Sequence, residues 1–163
     1  MSTKALVNRT ITIEHVTIES NLPFEQVRAN LEALLPRIDD GIFTLLRFGE
    51  SERALRELEA APTLSIFSFR DHGALLQVAG LQSRAVQYDI GNPLSASKMT
   101  RHQISAGLYA PIRVLLREDR NGTVAFEYDR PASIFGQFGD DQVDAIARQL
   151  DMDLQSSLQA TTR

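Results

Sequence analysis

The side chains able to do chemistry are few and scattered. Histidine alone ordinarily titrates near neutral pH, and the chain has three, His15, His72 and His102. None stands at an H-x-H or H-x3-H spacing that lets two imidazoles share a metal ion, so no metal site is expected. His72 follows Asp71 in Arg70-Asp71-His72-Gly73, where a place in a turn outweighs catalysis. His15 falls in a strand-like run between Glu14 and Thr17. Met99 and His102, three apart, could offer a soft ligand pair on one helix face, although a packed methionine beside a surface histidine is the commoner outcome. His72 and His102 are the candidate general bases.

Tyr109, Arg113 and Tyr128 form a second group. Arg113 sits in Ala-Pro-Ile-Arg-Val-Leu-Leu, an unusual place for a charge because its neighbours look buried. Its fork could hold a carboxylate or phosphate. A cross-strand ion pair with Asp89, Glu118 or Asp129 is the favoured alternative. Gly91-Asn92-Pro93 reads as a strand-to-helix turn with asparagine at the N-cap and proline at N1. A helix start could also receive an anion, but proline there removes one donor. Asn92, Met99, Tyr109, Arg113 and Tyr128 are the candidate ligand-binding residues.

Much is excluded. The chain has no cysteine, which removes disulfides, thiolate metal sites and cysteine nucleophiles. It has no G-x-S-x-G elbow, phosphate loop or dinucleotide fingerprint, and no cofactor is expected. Capping explains the pairs Asp39-Asp40 and Asp140-Asp141 better than acid–base catalysis does. A net charge of −4 provides no basic field for nucleic acid or acidic lipid. No stretch approaches the ~20 apolar residues of a membrane span. Residues 1–8 hold one lysine and no apolar run of signal-peptide length, so a cytoplasmic location is expected.

The elements that must position these residues follow from periodicity. At 163 residues the chain fits a single domain with a real core. Residues 10–18 alternate isoleucine with threonine, as a strand does. Phe24, Val27, Leu31, Leu34 and Leu35 give a helical stripe between Pro23 and Pro36. A turn at Asp39-Asp40-Gly41 and a short apolar run, residues 42–48, precede a helix over 51–61. Residues 63–69 and 75–79 predict two strands joined by a tight turn at Asp71 and Gly73. A further strand covers 84–90, and a helix runs from Pro93 to about 105, with Gly107 as its stop. Strands 112–117 and 123–128 form a hairpin through Asn121-Gly122. A long amphipathic helix follows over about 140–159, with residues 159–163 frayed.

Tyr88-Asp89-Ile90-Gly91-Asn92-Pro93, then Ala96 and Met99, then Gly107-Leu108-Tyr109-Ala110-Pro111-Ile112-Arg113-Val114-Leu115-Leu116 make a distinctive ordered set. With Glu118-Asp119, Asn121-Gly122 and Tyr128-Asp129-Arg130-Pro131-Ala132-Ser133, the chain resembles the domain of unknown function 302 family. The resemblance spans about 10–136 and is strongest in the second half. It implies an α+β fold, a curved antiparallel sheet packed by helices on one face. The arrangement is TATA-binding-protein-like, β-α-β(4)-α, here with an inserted helix and a long C-terminal helix. Many members carry a cysteine before the Asn-Pro pair. This chain has Gly91, so any work that cysteine does in relatives is lost here.

The architecture and the resemblance together predict a small-molecule-binding domain with its pocket between the sheet and the helix from Pro93. A cofactor-free enzyme using His72 or His102 with Tyr109 and Arg113 is the second expectation. A structural or interaction module built on the final helix is the third. Ile134, Phe135 and Phe138 add an apolar cluster before that helix, which predicts a homodimer.

Overall fold

The computed structural model describes residues 5–163, so the reading of residues 1–8 lies partly outside the described residues. The strands are β1 (His15–Ser20), β2 (Ser65–Asp71), β3 (Ala85–Gly91), β4 (Ile112–Glu118) and β5 (Val124–Asp129). They form one sheet in the order β1-β5-β4-β3-β2, with every neighbouring pair antiparallel. The helices are α1 (Phe24–Leu34), α2 (Gly41–Arg47), α3 (Ser51–Ala60), α4 (His72–Leu76), α5 (Pro93–Thr100), α6 (Pro131–Phe135) and α7 (Asp141–Thr161). Short 3-10 turns at Gln77–Ala79, Ile104–Tyr109 and Gly136–Phe138 complete the chain.

The pleat explains the layering, because alternate side chains leave opposite faces of a strand. On β4, Ile112, Val114 and Leu116 are buried while Arg113 between them is exposed. Register aligns those three with Ile90, Tyr88 and Val86 of β3, and Val114 and Leu116 with Tyr128 and Phe126 of β5. Against this face pack Phe24, Val27 and Leu31 of α1, Met99 of α5, and Val143, Ala147, Leu150, Leu154 and Leu158 of α7. The opposite face is polar and tied across strands. Asp89 accepts hydrogen bonds from Ser68 Oγ at 2.5 Å and Arg70 Nη1 at 2.9 Å. Arg117 meets Glu127 at 2.7 Å, and His15 Nδ1 lies 3.0 Å from Asp129. The result is a mixed α/β domain, a five-stranded antiparallel sheet with helices.

Several expectations need correction. Residues 75–79 are not a strand, and the apolar run 42–48, to which its pattern alone assigns no element, is helical. The run 42–48 forms α2, and 75–79 continues from α4 into a 3-10 turn. Both sides of β3 are already paired, with β2 and β4, which leaves no place there for residues 75–79. Asp71 caps α4 by accepting the Ala74 N–H at 2.8 Å. Gly73 sits so close to the backbone that a Cβ would lie 2.3 Å from the Ser83 carbonyl oxygen. The first strand is His15–Ser20, later than the predicted 10–18, because β5 offers partners only from Val124 to Asp129 before Pro131 opens α6. The helix from Pro93 stops at Thr100, and Gly107 lies inside the following 3-10 turn.

The chain's last turn is not frayed. Helix α7 runs to Thr161, which is buried. Asn30 Nδ2 donates to the Thr161 carbonyl at 3.1 Å, and Ser20 Oγ donates to that of Thr162 at 2.9 Å. These bonds satisfy carbonyls that the helix end leaves without partners. The cluster of Ile134, Phe135 and Phe138 is core edge, not a surface patch. Phe135 is fully buried, Ile134 is 8% exposed and Phe138 packs partly buried against them.

Candidate functional site

The end of β3, the start of α5 and the start of β4 converge on a cleft. Asn92 builds the corner. Its Oδ1 accepts the N–H groups of Leu94 and Ser95 at 2.9 and 3.1 Å, and its Nδ2 donates to the Thr63 carbonyl at 2.8 Å. Pro93 at N1 supplies the helical φ and lacks the N–H that would need a partner. The corner thus holds α5 at the end of the sheet, and a cavity of about 310 Å³ lies beside it. Its walls include Phe43 from α2, Phe67 from β2, Gly91, Met99, Pro111 and Leu150 from α7. An irregularity in the β2–β3 register between Ile66 and Ser68 takes Phe67 out of the regular pairing.

Gly91 shapes one wall. A Cβ built there would lie 3.3 Å from Pro111 Cβ and 3.7 Å from the Phe67 ring. The absent side chain is therefore part of the space between those two residues. The polar groups on the walls are largely committed. Ser97 Oγ donates to the Leu94 carbonyl at 2.8 Å, and Thr100 Oγ1 to that of Ala96 at 3.0 Å. Because Asn92 already occupies the first amides of α5, no free anion cradle stands at its N-terminus.

The candidate residues disperse. Asn92 and Met99 line the cleft, Met99 from a buried position. Tyr109 and Arg113 instead border a separate recess of about 50 Å³, where Leu108, Asp129 and Ile134 also lie. Tyr109 stacks edge-on against Phe135 and Phe138, with ring centroids 6.4 and 6.3 Å apart. Arg113 faces solvent from the polar side of the sheet. Its cross-strand neighbour Asp89 is taken by Arg70, and among the described residues Arg113 makes no ion pair within 4.0 Å. The expected pairing of Arg113 with Asp89, Glu118 or Asp129 is therefore absent.

Tyr128 does not join this group, because it projects from the opposite face of the sheet. It is 2% exposed, and its hydroxyl has no hydrogen-bond partner among the described residues. Burial raises its pKa, and the nearby Asp151 carboxylate adds to the rise. Asp151 is itself buried, which pushes its own pKa up, while Arg130 Nη1 at 3.3 Å offsets part of that. Arg130 also reaches Glu14 at 2.8 Å, so the cluster ties α7 to the segment before β1.

Neither catalytic histidine candidate meets Arg113. His72 opens α4 beyond Asp71, which pairs with Val86, whereas Arg113 pairs with Asp89 nearer the other end of β3. His102 is exposed beyond the end of α5, beside Asp140, so it does not share a face with the buried Met99. Residues 102 and 72 line neither the cleft nor the Arg113 recess.

Phe43, Phe67, Pro111 and Leu150 are cavity walls that spacing along the chain does not mark. Gly91 carries a signal, a glycine within a strand-like run, which commonly marks a close approach or a gap.

With this geometry in view, comparison with known proteins is informative. A family model described as Domain of unknown function DUF302 matches residues 42–161. The match begins after β1 and α1 and takes in α7, whereas the resemblance read from the motifs spans 10–136. A crystal structure of an uncharacterized conserved protein DUF302 from Bacillus stearothermophilus superimposes with a TM-score of 0.66. It is 17% identical, and the alignment covers 91% of this chain and 98% of that one. At that identity the likeness is one of fold. No curated protein matches the chain.

Proposed function

The chain belongs to the DUF302 family, and from that premise we propose that the domain binds a small molecule in the cleft between the sheet and α5. The frame we infer for it is the TATA-binding-protein-like arrangement that the resemblance implies. One observation carries the proposal. The cleft holds about 310 Å³, within the range of ~300–1,000 Å³ typical of ligand pockets, and its lining is mostly apolar and free of charged residues, unlike the larger recesses lined by Arg84 and Glu118, by Arg130 and Asp151, or by Arg37 and Glu57. Its walls come from six separate elements, α2, β2, β3, α5, β4 and α7, so a molecule bound there would be gripped by the whole fold. A cofactor-free enzyme would need His72 or His102 beside Arg113 and has no such juxtaposition to rest on. An interaction module on α7 would need that helix's apolar stripe, which is spent on the core.

Native mass spectrometry of the full chain, purified without denaturation from the cells that make it, tests the proposal. The expected spectrum shows the protein with one added mass, released by organic extraction. Ala96 lines the cleft on the half-buried side of α5, so Ala96→Phe should fill it and abolish the adduct. An adduct that survives in a folded Ala96→Phe protein places the ligand elsewhere and overturns the proposal.

A further inference from the structure

Resting on that ligand-binding reading, we propose that the cleft selects an uncharged, flat apolar molecule of about two fused rings, with Gly91 setting its depth and Ser95 meeting its one polar group. The first support is the absence of charge. No Lys, Arg, His, Asp or Glu stands among the residues lining the cavity. A charged ligand would leave water and find no counter-charge, and an unpaired charge in an apolar site is strongly disfavoured.

The second support is the state of the polar lining. Asn92 spends both its oxygen and its amide nitrogen on backbone groups, and the hydroxyls of Ser97 and Thr100 donate within α5. Ser95 Oγ makes no hydrogen bond among the described residues, although its backbone N–H is held by Asn92. The wall thus offers a single uncommitted hydroxyl. A ligand with one hydroxyl or carbonyl can be answered there, and one with several polar groups cannot.

The third is size. An apolar cavity of ~150 Å³ accepts one benzene ring, and this one is about twice as large. Phe43 and Phe67 stand on its walls, where ring faces favour offset or edge-on contact with an aromatic guest. Gly91 governs the depth, because a methyl there would already press on Pro111. Its φ is not in the left-handed region, so alanine is compatible with the backbone.

Naphthol, naphthoate and naphthylmethylammonium, titrated into the full chain by calorimetry, provide the test. Naphthol should bind, with each charged probe about tenfold weaker or worse. Gly91→Ala should weaken naphthol roughly tenfold while phenol, a single ring, loses little. Ser95→Ala should reduce naphthol binding without changing the melting temperature. Ala96→Phe, which fills the cleft from the helix side, should abolish binding of every probe and guards against misfolding of the Gly91 variant. If naphthoate or naphthylmethylammonium binds as well as naphthol and Ala96→Phe blocks it, the cleft is a ligand site but the proposed class is wrong. If no probe binds while the native protein still carries an adduct that Ala96→Phe removes, the proposed class is wrong and the ligand-binding reading stands. If no probe binds and there is no adduct, or if binding survives in folded Ala96→Phe, both fall.

Discussion

Asn92 shows how much one side chain can carry. It caps α5 through two backbone N–H groups and anchors the segment before β2 through Thr63. Losing the cap costs about 1 kcal/mol, and the bond to Thr63 about as much again. Asn92→Ala should therefore lower stability by roughly 2 kcal/mol in urea titration. Asn92→Asp keeps the cap but turns a carboxylate oxygen toward the Thr63 carbonyl, so it should fall between alanine and the wild type. The two buried tyrosines make a contrasting pair. Tyr88 donates to Glu32 at 2.8 Å, and its pKa is raised by burial first and by that carboxylate second. Tyr128 has no partner for its hydroxyl among the described residues. Tyr88→Phe should cost about 1 kcal/mol or somewhat more, whereas Tyr128→Phe should be neutral or stabilising. Equal losses would show that the Tyr128 hydroxyl is satisfied in solution. Arg113→Met, at an exposed residue without an ion pair, should stay within about 0.5 kcal/mol of wild type. A loss well beyond that would restore the cross-strand pairing expected from its sequence context.

Among the elements, β1 carries a histidine whose titration bears on how its edge is held. It is an edge strand, held on one side by β5, and His15 lies between Asp129 at 3.0 Å and Glu127 at 3.5 Å. Its hydrogen bond to Asp129 chiefly raises the His15 pKa above the ordinary 6.5. A raised folded value means that protonation favours the folded state. The contribution is therefore full below pH 6.5 and disappears as pH rises through the folded value. Amide exchange in β1 should be slower at pH 5.5 than at pH 8, after correction for the intrinsic pH dependence, and His15→Gln should remove that difference. Legibility at this scale varied for physical reasons. Pro23, Pro36, Asn92 and Pro93 restrict the backbone locally, and α1 and the start of α5 lie where those residues place them. The runs 42–48 and 75–79 are short and apolar, and periodicity alone cannot tell a short buried strand from a helical turn. What decided the second was the Asp71 cap on Ala74, which a turn and a helix start share, and the Gly73 approach to Ser83, which is invisible without that segment. The cleft was half legible. Asn92 and Met99 stand near each other in sequence, but Phe43 and Leu150 reach it from far along the chain.

For the whole molecule, stability is concentrated in the single core between the sheet and α1, α5 and α7. Phe135 belongs to it completely. Phe135→Asp with Phe138→Asp should therefore unfold the protein rather than yield a soluble monomer, since burying an unpaired carboxylate adds to the ~3–5 kcal/mol lost with a buried phenylalanine. Retained near-UV dichroism in that double variant would return the pair to the surface. The long-range closure of the sheet has a consequence for biosynthesis. His15 on β1 waits for Asp129, 114 positions later, before its strand has a partner. At a translation rate of about 5–20 residues per second, that interval is on the order of ten seconds. Throughout it the nascent chain presents His15–Ser20, with Val16 and Ile18, and no strand to pair it. Ribosome-bound chains stalled just short of β5 should therefore expose this segment to chaperones and proteases. Full chains held on the ribosome through an added C-terminal linker, so that Ser20 and Asn30 can reach the end of α7, should have withdrawn it.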